Sequence, residues 1–302
     1  MNSVKQQWLT EIGVPAKSGE YGSLSLLTKF DNEEFDGELY SQTNGPGTSQ
    51  RVLFLFPKNL TKPAPAVLVP FYFPEAMVGF DPVTGEPLPR FGEVAMMLHL
   101  VRRGYITVSA DSYHLTYIES ERDRLDFKRW KDASEALMQD NPSWTGIGKL
   151  IYDTRLMTDA LLADPRVDTA HIGITGHSLG GKMAFYSGCL DDRIHAILAS
   201  DFGIGWDQTN WRDLWYWGDK VEELIKKDMD HAGLLGAAAP KPFCLIAGQY
   251  DNEDSWKMMC KAPGYEKNDG RLKIINHATG HRPPMDALEE GYAFLDKWLK
   301  NE

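Results

Sequence analysis

The sequence predicts an α/β fold, a mostly parallel sheet with helices on both faces and antiparallel strands at its start. Three observations carry this. Fully apolar runs of strand length recur along the chain; each is followed by a stretch with apolar residues at helical spacing; and one such run passes through a Gly-x-Ser-x-Gly turn directly into a helix.

Residues 24 to 57 read as short strands (LSLLTKF, GELYSQ, RVLFLF) separated by acidic and Gly/Pro turns, and their lack of intervening helices makes them antiparallel. From residue 66 the runs become apolar on both faces: 66–70, 105–110, 171–175, 194–200, 243–247 and 272–275. Strands of that composition belong in the middle of a parallel sheet. Between and after them, 92–104, 148–164, 180–190 and 284–300 carry the helical spacing that a right-handed crossover needs. We expect one domain over residues 1–302, with insertions at about 74–90 and 111–146 and a third, tryptophan-rich one over 201–240. These lie after strands, where open α/β sheets place their sites.

Composition bounds the function. The chain has 302 residues, 32 Lys plus Arg against 43 Asp plus Glu, and a net charge of −11, an acidic balance that disfavours nucleic acid and anionic membranes as partners. No apolar run reaches the length of a membrane span or a signal peptide, and the three cysteines show no paired spacing. A cytoplasmic setting is expected. No metal site is expected either: the nearest spacing, His277-x-x-x-His281, lacks the Glu of a His-Glu-x-x-His helix. No dinucleotide fingerprint follows an early strand, so no cofactor is expected.

The decisive segment is Gly176-His177-Ser178-Leu179-Gly180-Gly181-Lys182. A strand, a tight turn and a helix hold the Ser178 hydroxyl outward, and flanking glycines are needed because side chains there would collide with neighbouring backbone. The Leu179 N–H then sits at a helix N-terminus, where developing negative charge is stabilised. The same residues spell Gly-x-x-x-x-Gly-Lys, but Met183 stands where a phosphate loop needs Ser or Thr to hold magnesium.

A hydroxyl needs a base, and the base an orienting carboxylate, in the chain order Ser, acid, His. His281, beyond the last strand and before the last helix, is the expected base, with His277 the alternative. Asp251, in the turn after the 243–247 strand, is the expected acid; Asp201, directly after the 194–200 strand, competes with it, and Glu253 and Asp254 are weaker. A second oxyanion donor is expected from the backbone of Phe71 or Tyr72, after the first buried strand. Phe73, Lys182, Trp206, Trp211, Trp215 and Trp217 are candidates for the substrate pocket. The last four, among nine tryptophans in all, read either as an aromatic wall or as a packed loop covering the sheet.

At this point the chain resembles the α/β-hydrolase superfamily and, within it, the dienelactone-hydrolase-like and acetyl xylan esterase-like branch, over about residues 64–300. The pieces that carry the likeness are RRGYITVSADSYH, the stretch from DPRVD through GHSLGGK to DDRIHAILAS, GQYD and GHRPP. The resemblance implies Ser178 as nucleophile, Asp251 as acid, His281 as base and Leu179 as oxyanion donor. Glucuronoyl esterases are similar in having a Lys shortly after the elbow that helps hold the sugar, a role this likeness extends to Lys182. They carry Arg after the Ser, where this chain has Leu179. The expected activity is that of a serine esterase, a carboxylic-ester hydrolase acting through an acyl-enzyme on a small ester such as an acylated carbohydrate. The alternatives are a serine peptidase of the same fold and a non-catalytic binding module.

Overall fold

The computed structural model describes residues 3–13, 21–266 and 269–300. Its strands are β1 (Leu24–Asp31), β2 (Phe35–Gly45), β3 (Thr48–Pro57), β4 (Ala64–Leu68), β5 (Ile106–Ala110), β6 (Val167–His177), β7 (Ala196–Ser200), β8 (Phe243–Ala247) and β9 (Leu272–Asn276). They form one sheet in the order β1-β2-β3-β5-β4-β6-β7-β8-β9. Pairings from β1 to β5 across β3 are antiparallel, and those from β5 to β9 are parallel. This is the α/β-hydrolase architecture, and each apolar run named above falls on a strand.

All five residues of β5, β7 and β8 are buried, because helices cover both faces of the parallel region. On one face Leu68, Val108, Ile174 and Ile197 pack with helices Gly146–Ala163 and Leu179–Leu190. On the other, Val67, Leu198 and Ile246 meet helices Met96–Arg102 and Met285–Leu299 through Leu100, Leu288 and Leu295. The four expected helices are therefore present, somewhat shortened at 92–104, where a 3-10 turn over Pro89–Val94 precedes the helix.

The 111–146 segment contains a helix that its polarity obscured, Phe127–Asp140, capped by the Asp126 side chain accepting from the Lys128 N–H. Its buried stripe is Trp130, Ala133 and Leu137, a helical spacing diluted by charged neighbours. The 201–240 segment begins with turns and continues into helices Lys220–Lys226 and His231–Ala238. Helix Ser3–Ile12 docks on it: Trp8 is 1% exposed and stacks near Trp206, Trp217 and His231. No helix among the described residues is long and apolar enough to cross a membrane.

Candidate active site

Ser178 follows the last residue of β6 and has φ 57° and ψ −115°, a backbone state that non-glycine residues rarely adopt. The glycines around it are required by contact. A Cβ on Gly176 would lie 2.3 Å from the Gly180 carbonyl, and one on Gly180 would lie 2.2 Å from the Pro70 oxygen. The Ser178 N–H donates to the Ser200 carbonyl at 2.8 Å, which ties the elbow to the end of β7.

Above the elbow, His281 Nε2 lies 2.9 Å from Ser178 Oγ, and His281 Nδ1 lies 2.7 Å from Asp201 Oδ2. The carboxylate that meets the imidazole is therefore that of Asp201, not Asp251 as the sequence suggests. Strand order explains the difference: β7 lies directly beside β6, so the residue that ends it is one strand closer to Ser178 than the turn after β8. Asp201 has φ 41°, a backbone state that non-glycine residues rarely adopt.

The Asp201 carboxylate is fully buried and accepts from the backbone N–H groups of Gly248 (3.1 Å), Gln249 (3.1 Å), Tyr250 (2.8 Å) and Asp251 (2.9 Å). Burial raises its pKa, but His281 and these N–H donors outweigh burial and hold it below the usual carboxylate range. The GQYD turn is thus a nest for the acid. Asp251 itself turns away and accepts from the N–H groups of Gly203 and Ile204, each at 2.8 Å, and from Ser255 Oγ at 2.9 Å. Burial pushes its pKa up.

The other histidines have separate surroundings. His277 bonds Thr279 Oγ1 at 2.7 Å through Nδ1 and joins neither Ser178 nor Asp201. His177 is buried beneath His281, ring centroids 4.5 Å apart, with Nδ1 3.1 Å from Ser200 Oγ. Burial, reinforced by the nearby His281, pulls its pKa down to about 3, so it stays neutral. Tyr250 meets the His281 ring edge-on at 4.9 Å.

Leu179 opens the helix, where its N–H has no intrahelical acceptor. The Pro70–Phe71–Tyr72 turn lies against Gly180 and is fixed from behind: Ser112 Oγ donates to the Phe71 carbonyl at 2.6 Å and the Ser112 N–H to the Tyr72 carbonyl at 3.1 Å. In a trans peptide the N–H points opposite to the preceding C=O, so the Tyr72 N–H faces away from Ser112. Phe71 and Phe73 are buried at 5% and 3% exposure, whereas Tyr72 remains half-buried. Behind this turn Arg51 grips both Asp111 and Glu75, with nitrogen to oxygen distances of 2.8 and 2.6 Å.

Lys182 and the tryptophans form a packed unit. The Lys182 ammonium lies 4.4 Å from the Trp211 ring centre and 4.7 Å from that of Tyr216, with Asn210 Oδ1 at 3.1 Å and Thr209 Oγ1 at 3.3 Å. The rings favour the cation, but burial opposes it and draws the pKa down to about 7. Trp206, Trp211 and Trp217 are buried, and their indole N–H groups bond the Met229 carbonyl, the Gly203 carbonyl and Tyr186 Oη. For these three the packed-loop reading holds, because each ring is enclosed and each polar edge satisfied. Trp215 alone of the four is half-exposed, stacked on Phe127.

A serine hydroxyl, an imidazole and a buried carboxylate in hydrogen-bonded series, beside an N–H at a helix start, can move a proton and stabilise an oxyanion. Sequence comparison matches the model of the Abhydrolase family to residues 4–212. The chain belongs to the Abhydrolase family. Within that family setting, a 4-O-methyl-glucuronoyl methylesterase of Phanerochaete carnosa is 26% identical over 199 residues, 53% of this chain and 48% of that protein. The match thus spans about half the length of that relative. Two solved structures share the fold. A glucuronoyl esterase from Solibacter usitatus superposes with a TM-score of 0.70 at 13% identity, covering 97% of this chain and 90% of that one. Acetyl xylan esterase 1 from Thermoanaerobacterium gives 0.61 at 14% identity, covering 99% and 93%.

Proposed function

We propose that this Abhydrolase-family protein is a serine carboxylic-ester hydrolase working through an acyl-enzyme on a small ester, an acylated carbohydrate being the leading class. The observation that carries the reading is the unbroken series Ser178 Oγ, His281, Asp201, with contacts of 2.9 and 2.7 Å. Relatives and fold neighbours described as carbohydrate esterases support the substrate class.

In this reading His281 Nε2 takes the Ser178 proton as Oγ attacks the ester carbonyl. Asp201 keeps the other ring nitrogen protonated and stabilises the imidazolium. The Leu179 N–H, joined by the backbone of the Phe71–Tyr72 turn, receives the oxyanion. His281 then gives its proton to the departing alcohol, and a water deprotonated by the same imidazole releases the acid. The chain's free cysteines, Cys189, Cys244 and Cys260, support a cytoplasmic setting.

Initial rates on acetylated sugars, aryl acetates and uronate methyl esters, for the native protein and Ser178→Ala, test this. Hydrolysis of at least one class, falling about a thousandfold or more in Ser178→Ala, is expected. Equal rates in the two proteins would remove Ser178 from the chemistry.

A further inference from the structure

In this chain of net charge −11, arginines as a rule lie against carboxylates. Arg51 meets Asp111 and Glu75, Arg166 meets Glu38 and Asp164, and Arg193 meets Asp159 and Asp191. Arg129, which meets none, donates instead to the carbonyls of His114, Ser120 and Arg122. Arg90 and Arg282 differ from the buried Arg129 in being exposed, and among the described residues neither enters an ion pair.

These two share one place in the fold, the rim beside His281. Arg282 is the next residue after His281, and its Nη1 donates to the Arg90 carbonyl at 2.9 Å. Arg90 precedes Phe91, whose ring packs edge-on against Phe73 at 5.7 Å, directly after the Phe71–Tyr72 turn. The charge of Arg90 is felt at the Tyr72 hydroxyl and that of Arg282 at His177. A third guanidinium, Arg124, lies 4.0 Å from the centre of the Phe73 ring, although Glu75 pairs with it at 3.2 Å.

Neighbouring like charges without a counter-charge repel one another, and in a protein with a surplus of carboxylates nothing in composition forces them to stand unpaired. Where such a pair borders a reactive group it raises the local concentration of anions. Guanidinium offers planar, paired donors to the oxygens of a carboxylate.

Building on the ester-hydrolase reading, we propose that the substrate is an ester that also carries a carboxylate, which Arg90 and Arg282 hold at the mouth of the Ser178 site. Two sources offer that chemistry, an acylated acidic sugar and an acylated aromatic acid. In both, the carboxylate is not the reacting group; it fixes the ester relative to Ser178.

The test compares matched pairs: acetylated glucuronic acid with acetylated glucose, and 4-acetoxybenzoate with 4-acetoxybenzamide. The native protein should prefer the charged member of at least one pair by about tenfold or more in kcat/KM, mostly through KM, and added salt should erode the preference. The pair that shows it identifies the source. In the Arg90→Gln, Arg282→Gln double variant the ratio should fall to about one, whereas Arg122→Gln, far along the chain in a paired setting, should keep it. In parallel, calorimetry on Ser178→Ala with glucuronate, glucose, 4-hydroxybenzoate and 4-hydroxybenzamide reads recognition without turnover. Failure of all four esters to react would overturn the hydrolase reading, while the calorimetry would still judge the anion site. Equal binding of charged and neutral compounds, or a preference that survives the double variant, would overturn the proposal.

Discussion

The Asp251 N–H donates to the Asp201 carboxylate at 2.9 Å, while the Asp251 carboxylate accepts from the N–H groups of Gly203 and Ile204, just past Asp201. The loops after β7 and β8 clasp each other, each offering a buried carboxylate to the other's backbone. Only Asp201 also reaches His281. Asp201→Asn should therefore lower kcat on an aryl acetate by about 10³- to 10⁴-fold, whereas Asp251→Asn should leave kcat nearly unchanged. Both should cost about 1–3 kcal/mol of stability through imperfectly satisfied buried donors. Kinetics on the two variants separate them, with thermal unfolding confirming that each is folded under assay; equal kinetic losses would mean that the two carboxylates are not distinguished.

Ser112 lies behind the turn that carries the second expected oxyanion donor. Its hydroxyl holds the Phe71 carbonyl at 2.6 Å and so sets the direction of the Tyr72 N–H. Ser112→Ala should reduce kcat by roughly tenfold with KM nearly unchanged, since a misaligned donor weakens binding only of the developing oxyanion. An unaltered kcat would show that the turn holds its geometry without this bond.

Lys182 gives a pH signature. Burial draws its pKa to about 7 from the ordinary 10.5. Between those values the unfolded chain binds a proton that the folded chain lacks, so this residue makes stability rise with pH across that window, and its penalty is fully present below about 7. Urea midpoints of the native protein and Lys182→Met at pH 7 and pH 9.5 should show the native protein gaining on the variant at the higher pH. A difference that stays constant would place the native pKa near its ordinary value.

Trp8 anchors helix Ser3–Ile12 to the Trp206, Trp217 and His231 cluster. Trp8→Ala should cost about 3–5 kcal/mol in denaturant unfolding, the price of a large buried cavity, while turnover per folded molecule is kept. Loss of activity without loss of stability would tie the helix to the site instead.

The sheet and the elbow were legible in the sequence because their physics is local. Runs such as AVLVP and FCLIA can be buried only on both faces, and Gly176 and Gly180 flank Ser178 because a Cβ at either would strike backbone. His281 was legible from its place after the last strand. The acid was harder: Asp201 and Asp251 each follow a buried strand, and what separates them is that β7 rather than β8 adjoins β6, together with the positive φ of Asp201. Neither is written in the residues alone. The helix Phe127–Asp140 was hidden because only Trp130, Ala133 and Leu137 mark its buried stripe among charged neighbours. The tryptophans of 206–217 carried no sign of which faced inward, since an indole suits a wall and a core equally. That Arg90 and Arg282 enter no ion pair among the described residues is likewise a property of the fold, invisible in the sequence.

The central claim is that Ser178 is made nucleophilic by His281 and Asp201. Intact-mass and peptide spectrometry after exposure to a fluorophosphonate tests it most directly, because the reagent reacts with an activated serine hydroxyl and with little else. One adduct on Ser178 is expected in the native protein, greatly slowed in His281→Ala and Asp201→Asn and absent in Ser178→Ala. An adduct on another serine, or one on Ser178 that forms as fast without His281, would contradict it.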